Sequence, residues 1–209
     1  MGGYCPVSLR LQGRRGVVVG GGDEAASVAA ALADGGADVL VISPQLGGRL
    51  EPLARAGRVE WVARAYEGPS DLAGAMVVAA VAGESQLDQR VAADARRSRA
   101  LLLTTGTAQG DLLLPEVLRR GRLTIAVDTG GRGLPLARRI REELETAYGS
   151  EYGVLLELLG QLGDQLPDPG QRQLFADTLA RPEVAVLIRE GRLDEVEQEV
   201  GRLLGPSAT

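Results

Sequence analysis

The chain contains no histidine, no lysine and no asparagine, so all 23 of its basic residues are arginine. The three losses accompany an excess of Ala, Gly, Arg and Leu, the mark of biased coding, but they restrict chemistry whatever their origin. No imidazole is present to act as a base near neutral pH. No lysine is present to form a Schiff base or to reach a phosphate from a P-loop. The single cysteine, Cys5, excludes an internal disulfide and a multi-thiolate zinc site, and no metal site is expected. A reduced, cytoplasmic setting is the expectation. No apolar run approaches the ~20 residues of a membrane span, and the opening MGGYCPVSLRLQGRR lacks the apolar core of a signal peptide. A formal charge of −5 gives no general attraction to nucleic acid. Neither nucleic acid nor membrane is therefore expected as a partner, and Arg96, Arg97 and Arg99 read as a solvated helix face.

What is present is an ordinary globular composition, 44% hydrophobic and 24% charged over 209 residues. That length suffices for one large core, or for one domain with a smaller appendage. The first hundred residues alternate strand-like and helix-like segments. GVVVG (16–20), DVLVIS (38–43), VEWVA (59–63), AMVVAAV (75–81) and ALLLT (100–104) read as strands. Residues 23–36, 46–56 and 84–98 read as the helices between them. Such alternation predicts a parallel sheet with right-handed crossovers. Beyond it, PEVLRRGR (115–122) reads as a short helix, LTIAVD (123–128) as a strand and 134–149 as an amphipathic helix. From Glu151 onward only helical patterns remain, broken by the turn-rich LPDPG (166–170).

Two loops carry candidate chemistry. VVVGGGDEA (17–25) places Gly20, Gly22 and Ala25 on a GxGxxA pattern between a strand and a helix. One glycine allows a tight turn, one lets the backbone approach a pyrophosphate, and the small third residue lets the helix pack on the sheet. This predicts a dinucleotide site at Gly20, Gly21 and Gly22; the bland alternative is a tight turn without a ligand. Asp23 and Glu24 add negative charge beside it. Ser43 and Pro44 stand where a ribose-binding Asp or Glu is expected, which weakens discrimination between cofactors. The second loop, TTGTAQGDLLLP (104–115), is a polar break beyond a strand, where parallel-sheet proteins bind ligands. It offers hydroxyls, an amide and the carboxylate of Asp111.

YCPVSLRLQGRRGVVVGGG (4–22), TGGR (129–132), LARRIREELE (136–145), EYGVLLELLG (151–160), LPDPGQRQ (166–173) and REGRL (189–193) together resemble the siroheme synthase family. This is the bifunctional family of precorrin-2 dehydrogenases and sirohydrochlorin ferrochelatases. The resemblance spans nearly the whole chain. It implies an α/β fold with an N-terminal Rossmann-type parallel sheet binding NAD (1–113), a central dimerisation segment (114–150) and a C-terminal helical domain (151–209). It further implies a homodimer, a tetrapyrrole substrate and an active site in a cleft between the nucleotide domain and the dimerisation region. The implied reaction is oxidation of precorrin-2 to sirohydrochlorin with NAD⁺, followed in bifunctional members by insertion of Fe²⁺. The protein mainly supplies geometry and a proton acceptor.

The departures from the family are as informative. Counting back from Pro115, the family's catalytic Asp falls on Thr105, whose neutral hydroxyl cannot replace a carboxylate base. The family's Thr-Asp-Asp near the nicotinamide falls on Ala82, Gly83 and Glu84, and its Arg-Lys pair in the first helix falls on Ser27 and Val28. Asp111 and Asp128 are the nearby carboxylates that could take a proton; the bland roles are a helix cap for Asp111 and turn support for Asp128. Thr129, Gly130, Gly131 and Arg132 form the expected substrate loop, with Arg132 either pairing with a tetrapyrrole carboxylate or serving only as a surface charge. Arg138, Arg139 and Arg141 read as the solvated face of a dimer helix. The rivals to dehydrogenation are a diverged homologue that binds a tetrapyrrole or nucleotide as carrier, regulator or partner protein, and chelation alone.

Overall fold

The computed structural model describes residues 4–104, 110–163 and 166–204. The chain folds as two compact units, Met1–Leu114 and Pro115–Thr209. The first is built on a five-stranded parallel sheet of β1 (Arg15–Val19), β2 (Asp38–Ile42), β3 (Glu60–Val62), β4 (Ala75–Ala80) and β5 (Leu101–Thr104), in the order β3-β2-β1-β4-β5. The strands are β-branched and leucine runs because both sheet faces are covered. Val18 points into a layer with Ala25, Val28, Ala29 and Leu32 of α1 (Asp23–Asp34). Its neighbours Val17 and Val19 point the other way, towards Val91, Ala92 and Ala95 of α3 (Ser85–Ser98). The strand order turns back between β1 and β4, so a crevice for ligands opens at their carboxyl ends.

The expected helix at 46–56 is shorter than its sequence suggested. Only Glu51–Arg55 (α2) is helical. Residues 43–50 instead form a loop drawn onto the glycine turn: the Gly47 N–H donates to the Gly21 carbonyl at 2.6 Å, and a Cβ on Gly47 would lie 2.7 Å from that oxygen. Between β3 and β4 the chain crosses through a 3₁₀ turn, Pro69–Leu72.

In the second unit, 115–122 is not a helix. Glu116–Arg120 is a strand, β6, paired antiparallel with β7 (Leu123–Val127), with Arg120 opposite Leu123. The proline and glutamate at its start mimic a helix entry. Gly121, at φ +56°, closes a two-residue hairpin instead. Pairing then buries Leu118 and exposes Arg119. Helix α4 (Leu134–Ala147) packs on the hairpin. Helices α5 (Glu151–Gly163), α6 (Pro169–Leu179), α7 (Pro182–Arg189) and α8 (Leu193–Leu204) enclose a separate core of Leu155, Phe175, Leu179, Val184, Ala185 and Val196. The Arg189 Nε donates to the buried Glu151 carboxylate at 3.0 Å and ties α7 to α5, holding that carboxyl below its usual pKa.

Candidate functional site

The glycine turn joins β1 to α1 at the crevice. Gly20 has φ +143°, and a Cβ there would lie 2.3 Å from the Val81 carbonyl oxygen just past β4. A Cβ on Gly21 would lie 2.1 Å from the Gln45 carbonyl oxygen and 2.4 Å from the Ser43 Oγ. Both glycines are therefore demanded by backbone packed against them. Gly22 differs: nothing lies within 4 Å of its would-be Cβ, and it forms the N-cap of α1 without a side-chain cap. A helix entry with open space at a glycine fits a dinucleotide pyrophosphate, which needs close backbone approach and favourable N–H groups. Ala25 is fully buried, as close packing of α1 on the sheet requires. Asp23 and Glu24 are exposed at the first turn of α1.

Ser43 follows β2 and is buried, its hydroxyl donating to the Gln45 carbonyl at 2.6 Å. The neighbouring Pro44 is exposed. The indole N–H of Trp61 donates to the Ser43 carbonyl at 2.9 Å, so the chain's only tryptophan stands beside this position. Ala82 adjoins Gly20, with its N–H donating to Asp88 Oδ1 at 2.8 Å; the Gly83 N–H reaches Oδ2 at 3.2 Å. Asp88 thus fixes the turn after β4, a role that sequence reasoning missed. Its only local signal is an acidic residue in the first turn of a helix. The structure brings Gly20–Gly22, Ser43 and Ala82 together at the ends of β1, β2 and β4.

Thr105 lies outside the described residues. Asp111 returns to the edge of β5, where its carboxylate accepts the Leu102 N–H at 2.9 Å. The N–H groups of Asp111 and Leu112 donate to the Leu102 carbonyl at 2.7 and 3.0 Å. No helix follows for Asp111 to cap, since β6 does. Asp128 Oδ1 accepts the Gly130 N–H at 2.9 Å and orders the turn through Thr129 to Gly131. Gly130 and Gly131 have φ +63° and +73°, which a Cβ would strain. Arg132 is exposed at the end of this turn. Arg138 and Arg139 are exposed, as a solvated face requires, but Arg141 is largely covered and pairs with Glu116 and Glu145.

A polar network stabilises the approach from β3. Arg64 grips the buried Asp71 through both carboxylate oxygens, at 2.7 and 3.0 Å, and holds its pKa down at about 2. The buried Tyr66 donates to Asp94 at 3.0 Å; burial, then that carboxylate, pushes the phenol pKa up.

Residues 7–116 match the family model described as "Putative NAD(P)-binding". The chain belongs to this family. Over 200 residues it is 36% identical to the siroheme synthase of Pseudomonas entomophila, covering 93% of this chain and 43% of that protein. The siroheme synthase of Pseudomonas putida is likewise 36% identical over 203 residues, with the same coverage. The chain thus spans less than half the length of these relatives. A solved structure, "SirC, precorrin-2 dehydrogenase", superposes with a TM-score of 0.73 at 21% identity, covering 93% of this chain and 100% of that one. That likeness establishes the fold, and the resemblance to siroheme synthases read from the motifs holds across the chain.

Proposed function

We propose that this chain oxidises precorrin-2 to sirohydrochlorin with NAD⁺ as part of siroheme formation. The observation carrying this reading is the glycine turn, where Gly20 and Gly21 are packed against backbone while Gly22 faces open space at the uncapped start of α1. A nicotinamide bound beside these residues would supply the hydride acceptor. The chain's own groups have three tasks. Gly22 lets the backbone approach the pyrophosphate, and Asp88 holds the Ala82–Gly83 backbone at the sheet crossover. In the second unit, the turn ordered by Asp128 carries the exposed Arg132, a guanidinium suited to a tetrapyrrole's carboxylates. The proton lost with the hydride needs an acceptor, and Asp111 and Asp128 are the candidate carboxylates. A cytoplasmic homodimer joined through 114–150 completes the reading, in keeping with the exposed Leu134 and Leu136 of α4.

Calorimetric titration with NAD⁺ and NADH tests the cofactor, and conversion of precorrin-2 in its presence tests the reaction. A folded protein that forms no sirohydrochlorin refutes the dehydrogenase reading. Iron-dependent loss of free sirohydrochlorin, faster than the uncatalysed reaction, tests chelation. One observation favours a second reading, a homologue that binds nucleotide or tetrapyrrole without turnover: Asp111 and Asp128 each already accept a backbone N–H. Thr105→Asp separates the two readings. Activity gained by that change means a decayed site on an intact scaffold, whereas activity already present in the parent chain supports dehydrogenation.

A further inference from the structure

In a Rossmann-type sheet the residue ending the second strand faces the adenosine ribose. A carboxylate there binds the 2′-hydroxyl and repels a 2′-phosphate, whereas a nearby arginine accommodates the phosphate. Here the position is Ser43, which carries no charge and whose hydroxyl is already given to the Gln45 carbonyl. The loop that follows is anchored twice, by the Gly47 N–H on the Gly21 carbonyl and by Leu50, which is fully buried. Between these anchors stands Arg49, exposed, with Nη1 3.4 Å from the Ser27 Oγ on α1. Among the described residues no ion pair engages it, while its neighbours along the chain, Arg55 and Arg58, each hold a carboxylate. Asp23 and Glu24, one turn before Ser27, act against an anion here, so the guanidinium must outweigh them at short range.

We propose that Arg49 receives the 2′-phosphate of an adenine dinucleotide, so that the chain binds NADP⁺ at least as tightly as NAD⁺. This rests on the nicotinamide-cofactor reading and extends it to the choice between the two cofactors. A fixed loop offering a guanidinium that meets a hydroxyl and, among the described residues, no carboxylate loses little freedom on binding, and an arginine–phosphate pair is charge-assisted and directional.

The test is calorimetric titration of the whole chain with NAD⁺, NADP⁺ and adenosine 2′,5′-bisphosphate, with Trp61 emission as a second readout beside Ser43. Arg49→Ala is expected to weaken NADP⁺ and the bisphosphate about tenfold and to leave NAD⁺ within about twofold, with an unchanged thermal transition. Ser43→Asp, an independent change, is expected to weaken NADP⁺ relative to NAD⁺ by a similar factor. The inference is overturned if the parent chain binds NADP⁺ tenfold more weakly than NAD⁺. It is also overturned if Arg49→Ala weakens both dinucleotides alike, which would make Arg49 a prop for the loop. Binding of neither dinucleotide overturns the cofactor reading, and this inference with it.

Discussion

Three adjacent glycines at the end of β1 have different physical reasons to be glycine, and substitution separates them. Gly20 combines φ +143° with backbone 2.3 Å from a would-be Cβ. Gly20→Ala should cost about 3 kcal/mol or more, read as a lowered urea midpoint. At Gly22 nothing crowds a methyl group, and Gly22→Ala should cost no more than about 1 kcal/mol as a poorer N-cap. The same change should weaken NAD⁺ binding by tenfold or more if the pyrophosphate lies there, and calorimetry reads that loss. Asp71 makes a pH prediction. Its folded pKa of about 2 lies below the ordinary 3.8, so the folded state favours the ionised form. The stabilisation is full above pH ~4 and lost as pH falls towards 2; it amounts to about 2 kcal/mol. Asp71→Asn should therefore lower stability at pH 7 and flatten the acid limb of a stability–pH profile. The glycine costs are not visible in the glycine pattern alone, because the atoms that crowd Gly20 and Gly21 come from the turn just past β4 and from the loop after β2.

At the scale of elements, the β6–β7 hairpin rests on α5 through paired glycines. A Cβ on Gly153 would lie 3.1 Å from the Arg120 backbone, and one on Gly121 would lie 3.3 Å from the Gly153 Cα. Gly153→Val should push the hairpin off α5 and cost about 1–3 kcal/mol, measured by chemical denaturation. Within the bundle, Thr178 of α6 is fully buried and its Oγ1 has no hydrogen-bond partner among the described residues. Thr178→Val keeps the shape and removes the desolvated hydroxyl, so it should raise stability by about 1 kcal/mol. The hairpin also marks where local patterning misled. PEVLRR starts like a helix, and only its pairing with LTIAV and the cover of α4 make Glu116–Arg120 a strand. The span 46–56 misled in the same way: only Glu51–Arg55 is helical, and Arg49 stands between two loop anchors.

For the whole molecule, the reading as a homodimer predicts that equilibrium sedimentation returns twice the chain mass of 21.9 kDa. A single-chain mass would remove the dimerisation role assigned to 114–150. By itself, the sequence determined the five parallel strands, their principal helices, the glycine turn and the helical tail. It did so because strands buried on both faces must be apolar throughout and amphipathic helices must repeat near every fourth residue, both of which are local signals. Only the tertiary structure decided what each polar group does. Asp111 meets Leu102, Asp88 holds Ala82 and Gly83, and Tyr66 reaches Asp94 across 28 residues. Hydrogen-bond partners and packed backbone are set by the crossing of distant segments, so what a carboxylate touches cannot be read from its neighbours along the chain.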